Sequence, residues 1–389
     1  MNKDATLLFF ALIRSAIDDN SLCSQEKSLF TENLLPHLYK LSKKHDLAHI
    51  IGEALHKNGL LKDDEYSKKF QNEQFNAIFR CEQVNYLLSK LCNALEEIKV
   101  PYILLKGAIL RNYYPKLWMR TSGDVDILIE KENLSKSVKH LTENEGFVKK
   151  AQSNHDIALV GKNTLELELH FDLIEDGRAL NCRKVLSRFF ESSNASTDFK
   201  SRRESTDEMF YFYHIAHMAK HFEVGGCGIR PFIDLWILNH KISYNKEKRD
   251  SLLKEGRLSK FAKCCEALSE VWFSENEHTE MTKKTESFIL SGGVYGSTEN
   301  SVLVRHAKTG GKIRFLISRI IPSFKALKKI YPELEKRPLL TPFYHIKRWI
   351  RICIEGSGKK AVREFKINNE ISSDLKKEMQ KFMDEIGLS

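Results

Sequence analysis

No apolar run in this 389-residue sequence approaches the roughly 20 residues that a helix needs to cross a bilayer. None of its 8 cysteines (Cys23, Cys81, Cys92, Cys182, Cys227, Cys264, Cys265 and Cys353) forms a Cys-x-x-Cys pair, and their spacings suggest neither a disulfide framework nor a zinc site. Scattered thiols of this kind fit a reducing compartment. There is no internal repeat at a solenoid period and no low-complexity tract, which excludes the common repeat architectures. The first apolar stretch, residues 7–13, lies between Asp4 and Arg14. That is too short and too poorly flanked for a signal peptide, so a cytoplasmic protein is expected.

What is present is an ordinary globular composition, 42% hydrophobic and 29% charged, in a length that suits two or three domains or one core with helical extensions. The formal net charge of +10 is unevenly placed. Residues 305–366 hold 17 Lys+Arg against 4 Asp+Glu, so this stretch carries 17 − 4 = +13 and the rest of the chain 10 − 13 = −3. A basic segment of this size suits an anionic partner: nucleic acid, a membrane surface or a phosphorylated acceptor. The bland alternative is a solvated helix face.

Apolar periodicity near 3.6 marks helices over residues 7–17, 47–55 and 70–98, the last ended by Pro101. The pattern then changes. Residues 102–105 and 125–129 read as strands, 108–114 as one or two helical turns, and 134–145 as a helix with Asn133 as N-cap and Gly146 beyond its end. Residues 147–150, 156–160 and 165–171 are further strand candidates. The order β-α-β-α-β-β-β over about 70 residues predicts a compact mixed sheet with helices on one side. Helix returns over 207–222, 229–241, 246–255 and 259–273. Residues 274–300, polar and holding Gly292, Gly293 and Gly296, are expected to be a loop or linker. Beyond them lies a helical third broken at Pro322, Pro332, Pro338 and Pro342.

The chemistry concentrates in residues 102–130, YILLKGAILRNYYPKLWMRTSGDVDILIE. Asp124 and Asp126 stand at i and i+2 on a strand, so both carboxylates face the same way. Two like charges side by side are costly unless a cation lies between them, and a divalent metal with a phosphorylated substrate is the usual answer. In LELELHF (residues 165–171) apolar and polar residues alternate strictly, which puts Glu166, Glu168 and His170 on one face. If this strand pairs beside 125–129, one glutamate completes a three-carboxylate site of the kind that holds two Mg²⁺ roughly 3.5–4 Å apart. The turn Lys106-Gly107-Ala108 lies at a strand-to-helix junction, where glycine allows close backbone approach and a helix start offers N–H groups to phosphate. Lys106 and Arg120 add charge-assisted contacts to a triphosphate.

On these residues the chain resembles the nucleotidyltransferase (DNA polymerase β-like) superfamily. Its pattern is an apolar strand, a glycine turn, a helix, Asp-x-Asp on the next strand and a third acid on a later one. Within it the likeness is greatest to a bacterial group of uncharacterised nucleotidyltransferases, which shows Leu-Lys-Gly, Arg, Gly-Asp-x-Asp and acid-x-His. Here these are Leu105-Lys106-Gly107, Arg120, Gly123-Asp124-Val125-Asp126 and Glu168-Leu169-His170. The likeness covers residues 102–172 well and extends weakly into the following helices. It implies that Asp124, Asp126 and Glu168 bind metal, that Glu168 is the base for an acceptor hydroxyl, and that Gly107 meets the phosphates. Lys106, Arg120, Gly123 and His170 are carried over with it as nucleotide-binding positions. Ala108 departs from the Ser or Gly usual after the turn glycine, which leaves phosphate binding to backbone N–H groups and Lys106. The implied fold class is α+β, a small mixed-sheet nucleotidyltransferase core flanked by N-terminal and C-terminal helical regions. The expected division is 1–100 helical, 101–180 catalytic core, 181–275 helical and walling the cleft, and 276–389 basic and helical.

Other motifs bear less weight. His214, His217 and His221 share a helix face at spacings of 3 and 4. They suit a cleft wall that brings His217 and His221 to the substrate, a second metal site, or plain helix packing; Lys220, Arg230 and Asp234 stand nearby in the sequence. Gly356-Ser357-Gly358-Lys359-Lys360 looks in part like a P-loop. The full motif needs Gly where Cys353 stands and Ser or Thr where Lys360 stands, so it is rejected. The doublet His155-Asp156 reads as a turn feature. Residues 315–331 are basic and amphipathic around Pro322, of the kind that lies on an anionic surface or packs between domains.

The expectation is therefore an Mg²⁺-dependent transferase, with two metal ions, that moves a nucleoside monophosphate from an NTP, ATP by default, to an acceptor with release of pyrophosphate. A small-molecule acceptor is favoured over nucleic acid because the acidic site region has no basic stripe of its own. The alternatives are a non-catalytic nucleotide- or partner-binding protein on the same fold, and a tRNA or polynucleotide nucleotidyltransferase that uses the basic C-terminal region.

Overall fold

The computed structural model describes residues 3–161, 165–173, 180–274, 276–309, 321–354, 367 and 372–388. The P-loop-like run at 356–360 and part of the 315–331 segment lie outside them. The chain is α+β and divides into two compact units, Met1–His217 with Ile229–Glu286, and Met218–Gly228 with Ser287–Ser389.

The first unit holds one seven-stranded mixed sheet of order β3-β4-β5-β2-β1-β7-β6. Its strands are β1 (Tyr102–Leu104), β2 (Asp124–Ile129), β3 (Val148–Gln152), β4 (Asp156–Val160), β5 (Glu166–His170), β6 (Asn194–Ala195) and β7 (Arg202–Glu204). The central strand β2 runs antiparallel to β1 and parallel to β5. Period-2 geometry then sorts its side chains: Val125, Ile127 and Ile129 join Leu165, Leu167 and Leu169 of β5 in one buried apolar cluster. Helix Glu65–Glu97 covers that face with Val84, Leu87, Leu91 and Leu95, and helix Leu134–Glu143 adds Leu141. Asp64 caps the start of the 33-residue helix, its carboxylate accepting from Ser67 N–H at 2.7 Å.

Two expectations need correction. After helix Leu180–Leu186 the chain returns to the sheet before the next helix, because β6 pairs with β7 and β7 adds to β1 in parallel. These strands are two and three residues long and polar in sequence, so no alternation announces them. The Glu96 carboxylate, at the end of the long helix, fixes the approach to β7 by accepting from Ser201 N–H at 2.9 Å and Arg202 N–H at 3.0 Å. Nor is 274–300 a linker, since it contains helix Glu280–Ser291 and the start of Thr298–Thr309. Thr279 and Thr282 cap the first of these reciprocally, each hydroxyl accepting the other's N–H.

The second unit contains the glycine turn that follows this helix. Gly293 and Gly296 bridge each other across it. A Cβ on Gly225, whose φ is +123°, would lie 2.8 Å from the Ser301 nitrogen, so both conformation and space demand glycine there. No helix among the described residues is long and apolar enough to cross a membrane.

Candidate active site

The parallel pairing of β2 and β5 sets the site. Its register opposes Asp124 to Glu166, Asp126 to Glu168 and Leu128 to His170. All the polar members of the two strands therefore share the face away from the apolar cluster. Asp126 is 4% exposed and its Oδ1 accepts from Lys106 Nζ at 2.7 Å and from His170 Nε2 at 2.8 Å. His170 Nε2 also lies 3.3 Å from Glu168 Oε2. Ligand atoms of Asp126, Glu168 and His170 all fall within 4.8 Å of one another. Asp124, at the mouth of β2, is held apart, with its Oδ1 accepting from Ser122 Oγ at 3.0 Å.

The electrostatics follow from this packing. Burial pushes the Asp126 carboxyl up, but Lys106 and His170 together hold it well below the usual carboxylate range. Burial and the neighbouring Asp126 charge raise Asp124. Burial disfavours the charged forms of Lys106 and His170, yet both are raised, Lys106 by Tyr213, Asp126 and Asp124, and His170 by its bonds to Asp126 and Glu168. The site thus sets carboxylates against a lysine and a histidine whose charged forms they favour.

Lys106 reaches Asp126 from an unusual backbone, φ +44° and ψ −119°, at the junction of β1 with the four-residue helix Gly107–Leu110. Three of the N–H groups at this helix start are already used. Ala108 N–H donates to the Leu105 carbonyl, while Ile109 and Leu110 donate to that of Lys106. Gly107 faces Ser122 and Arg120, with room for only ordinary contact. A cleft of about 10 Å³, room for one water, is lined by Gly107, Ser122 and Asp124 with the arginines Arg80, Arg111 and Arg120.

Arg120 is committed elsewhere. Its Nε donates to both Asp234 oxygens at 2.8 and 3.0 Å and its Nη1 to the Thr121 carbonyl, while Tyr114 Oη donates to Asp234 at 2.7 Å. Asp234 is 1% exposed, so this is a buried ion pair tying the loop before β2 to helix Arg230–Lys241. Gly123 is held through its carbonyl, which accepts from Arg80 Nη2 at 3.3 Å, and Arg80 Nε binds the Ser122 carbonyl at 3.2 Å.

The histidines of helix Asp207–Phe222 separate. His214 is buried, bonds the Pro231 carbonyl through Nε2 at 2.9 Å and is lowered by burial, as helix packing requires. The His217 ring stands 6.2 Å from that of Tyr213. His221 belongs to the second unit, its main-chain carbonyl accepting from Val224 and Gly226. What this helix brings to the acidic face is Tyr213, buried and electrostatically linked to Lys106, Asp126, Glu168 and Asp124. Neither Tyr213 nor Arg80 stood out in the sequence: Tyr213 sits within a run of buried residues, and Arg80 is one polar residue along a long helix. A second group with metal-ligand chemistry, Glu97, His140 and Glu145, lies elsewhere in the first unit, where Lys90 pairs with Glu145 at 3.1 Å.

A family model described as "Uncharacterised nucleotidyltransferase" matches residues 32–274, well over half of the chain. The chain belongs to this family. It is a nucleotidyltransferase, and the matched span contains the whole sheet and every residue of the acidic face. No curated protein matches the chain, and no solved structure does.

Proposed function

We propose that this nucleotidyltransferase is Mg²⁺-dependent and moves a nucleoside monophosphate from an NTP, with ATP the expected donor, to an oxygen of a small-molecule acceptor. The observation that carries the reading is the β2–β5 register, which sets Glu168 beside Asp126 on the polar face. The donor set fits a hard divalent cation. Its oxygens come from carboxylates, and the crowding that raises Asp124 is of the kind a cation relieves. Asp124, Asp126 and Glu168 would hold it. Bound Mg²⁺ supplies neutralisation of the triphosphate charge and polarisation of the reacting phosphoryl group.

The protein's own groups do the rest. The acceptor oxygen attacks the α-phosphorus, the bond to the bridging α–β oxygen breaks, and pyrophosphate leaves with the electron pair. Glu168, half-buried beside His170, takes the acceptor proton. His170 orients Glu168 and Asp126 by bonding both. Lys106 supplies positive charge at the phosphates, with Gly107 and Gly123 keeping the approach open. Arg120 acts through Asp234 by fixing the loop that presents Asp124. His217 is proposed as a substrate contact from the helical wall. A small acceptor is supported by the placing of the chain's excess positive charge in residues 305–366, outside the acidic site region.

The test is calorimetric titration of each NTP with Mg²⁺ or with EDTA, on wild type and Asp126→Asn. Metal-dependent binding that the substitution abolishes is the expected result. Equal, metal-independent binding to both proteins contradicts the reading.

A further inference from the structure

The helix Thr341–Ile354 of the second unit turns its apolar side outward. It is anchored by Tyr344, which is buried with Leu327, Tyr331 and Leu334 in a small cluster. Counting along the same side from the preceding turn, Leu339 is 93% exposed, Phe343 59%, Ile346 60% and Ile350 55%. Spacings of 3 and 4 put Phe343, Ile346 and Ile350 on one stripe of the helix, and Leu339 stands in the short turn just before it. A contiguous stripe of this kind marks an interaction surface, unlike apolar residues scattered singly.

Charge says what covers it. Residues 336–351 contain Lys336, Arg337, Lys347, Arg348 and Arg351 and no Asp or Glu. Lys336, Arg337, Lys347 and Arg351 are exposed. Lys347 and Arg351 follow Phe343 and Ile350 around the helix, so exposed cations run along one edge of the stripe. Lys347 is steadied there, its ammonium lying 5.3 and 5.2 Å from the ring centres of Tyr331 and Tyr344.

We propose that this helix docks the protein on an anionic lipid surface, lying in the interface plane with Phe343, Ile346 and Ile350 inserted and Lys347 and Arg351 at the headgroups. An apolar face bordered by Lys and Arg is the pattern of interfacial helices. At 14 residues, and charged, the helix is too short to span. Nucleic acid leaves the aliphatic side chains without a use, since stacking needs rings. The inference is independent of the transfer chemistry.

The experiment is co-sedimentation of the full chain with vesicles of equimolar phosphatidylglycerol and phosphatidylcholine, and with phosphatidylcholine vesicles, at low and high salt. Expected is binding to the anionic vesicles that salt weakens and that is far lower on phosphatidylcholine alone. Lys347→Glu with Arg351→Glu lowers affinity by roughly fivefold or more per position. Phe343→Ser with Ile346→Ser and Ile350→Ser reduces it to background, with the thermal melt unchanged because these side chains are exposed. Three outcomes overturn the proposal: no vesicle binding, equal binding to both vesicles, or a dimer in sedimentation equilibrium that the triple serine variant dissolves. Salt-dependent RNA binding without vesicle binding also overturns it.

Discussion

The two faces of β2 and β5 alternate along the same two stretches of chain and behave oppositely. On one, Val125, Ile127, Ile129, Leu165, Leu167 and Leu169 vanish into an apolar core. On the other, Asp124, Asp126, Glu166, Glu168 and His170 gather charge in a largely buried setting. A buried carboxylate is tolerated only with partners, and Asp126 has two. The core face thus gives stability through burial, whereas the polar face, held together by ion pairing, is the one proposed to carry the transfer chemistry. One face can be damaged without the other, and the differences are measurable.

The largest effect falls on the polar face. Asp126→Ala removes the residue that Lys106 and His170 share, and turnover measured by pyrophosphate release falls by roughly 10²–10³-fold or more. Next is the buried pair beside it. Asp234→Ala leaves the Arg120 charge buried and unpaired, which costs about 3–5 kcal/mol in urea unfolding. On the core face, Leu167→Ala opens a cavity at a fully buried position and costs about 2–5 kcal/mol, while the folded fraction keeps its KM.

Buried histidines sharpen the contrast. His170 is raised by its carboxylates, whereas burial dominates at His45 and at His49, and each is lowered to about 4. The unfolded chain binds protons at these two positions near 6.5 and the folded chain only near 4. Stability therefore falls as pH drops from about 6.5 towards 4 and is regained above that window. The loss is on the order of 3 kcal/mol per histidine, and replacing His45 with Gln flattens its share of the slope. The smallest effect belongs to Glu166. It shares the polar face, but its partner Lys150 is 58% exposed, so Lys150→Ala changes stability by less than about 1 kcal/mol.

Much of this was legible in the sequence wherever local periodicity encodes it. The strict alternation of LELELHF placed Glu166, Glu168 and His170 on one face, and the Asp124/Asp126 spacing did the same for β2. Pairing of the two strands was an assumption that the register supplied. Long-range commitments were not legible. Arg120 and Asp234 are 114 residues apart, and nothing local shows that this arginine is used by a neighbouring helix. The regular spacing of His214, His217 and His221 suggested a shared role, but the Pro231 carbonyl, on a different element, takes His214. Strands β6 and β7 escaped because so short a polar segment is recruited by backbone pairing and by Glu96 rather than by its own side chains.

The central claim is that the polar face of β2 and β5 transfers nucleotides. It is tested most directly by incubating the protein with Mg²⁺, each α-labelled NTP and a cell extract, comparing wild type with the double variant Asp124→Ala/Asp126→Ala. The account predicts that label passes to an acceptor with wild type, and that the transfer is lost with the double variant although it remains folded. Label that reaches no acceptor with any NTP, together with Mg²⁺-NTP binding that is the same in both proteins, would contradict it.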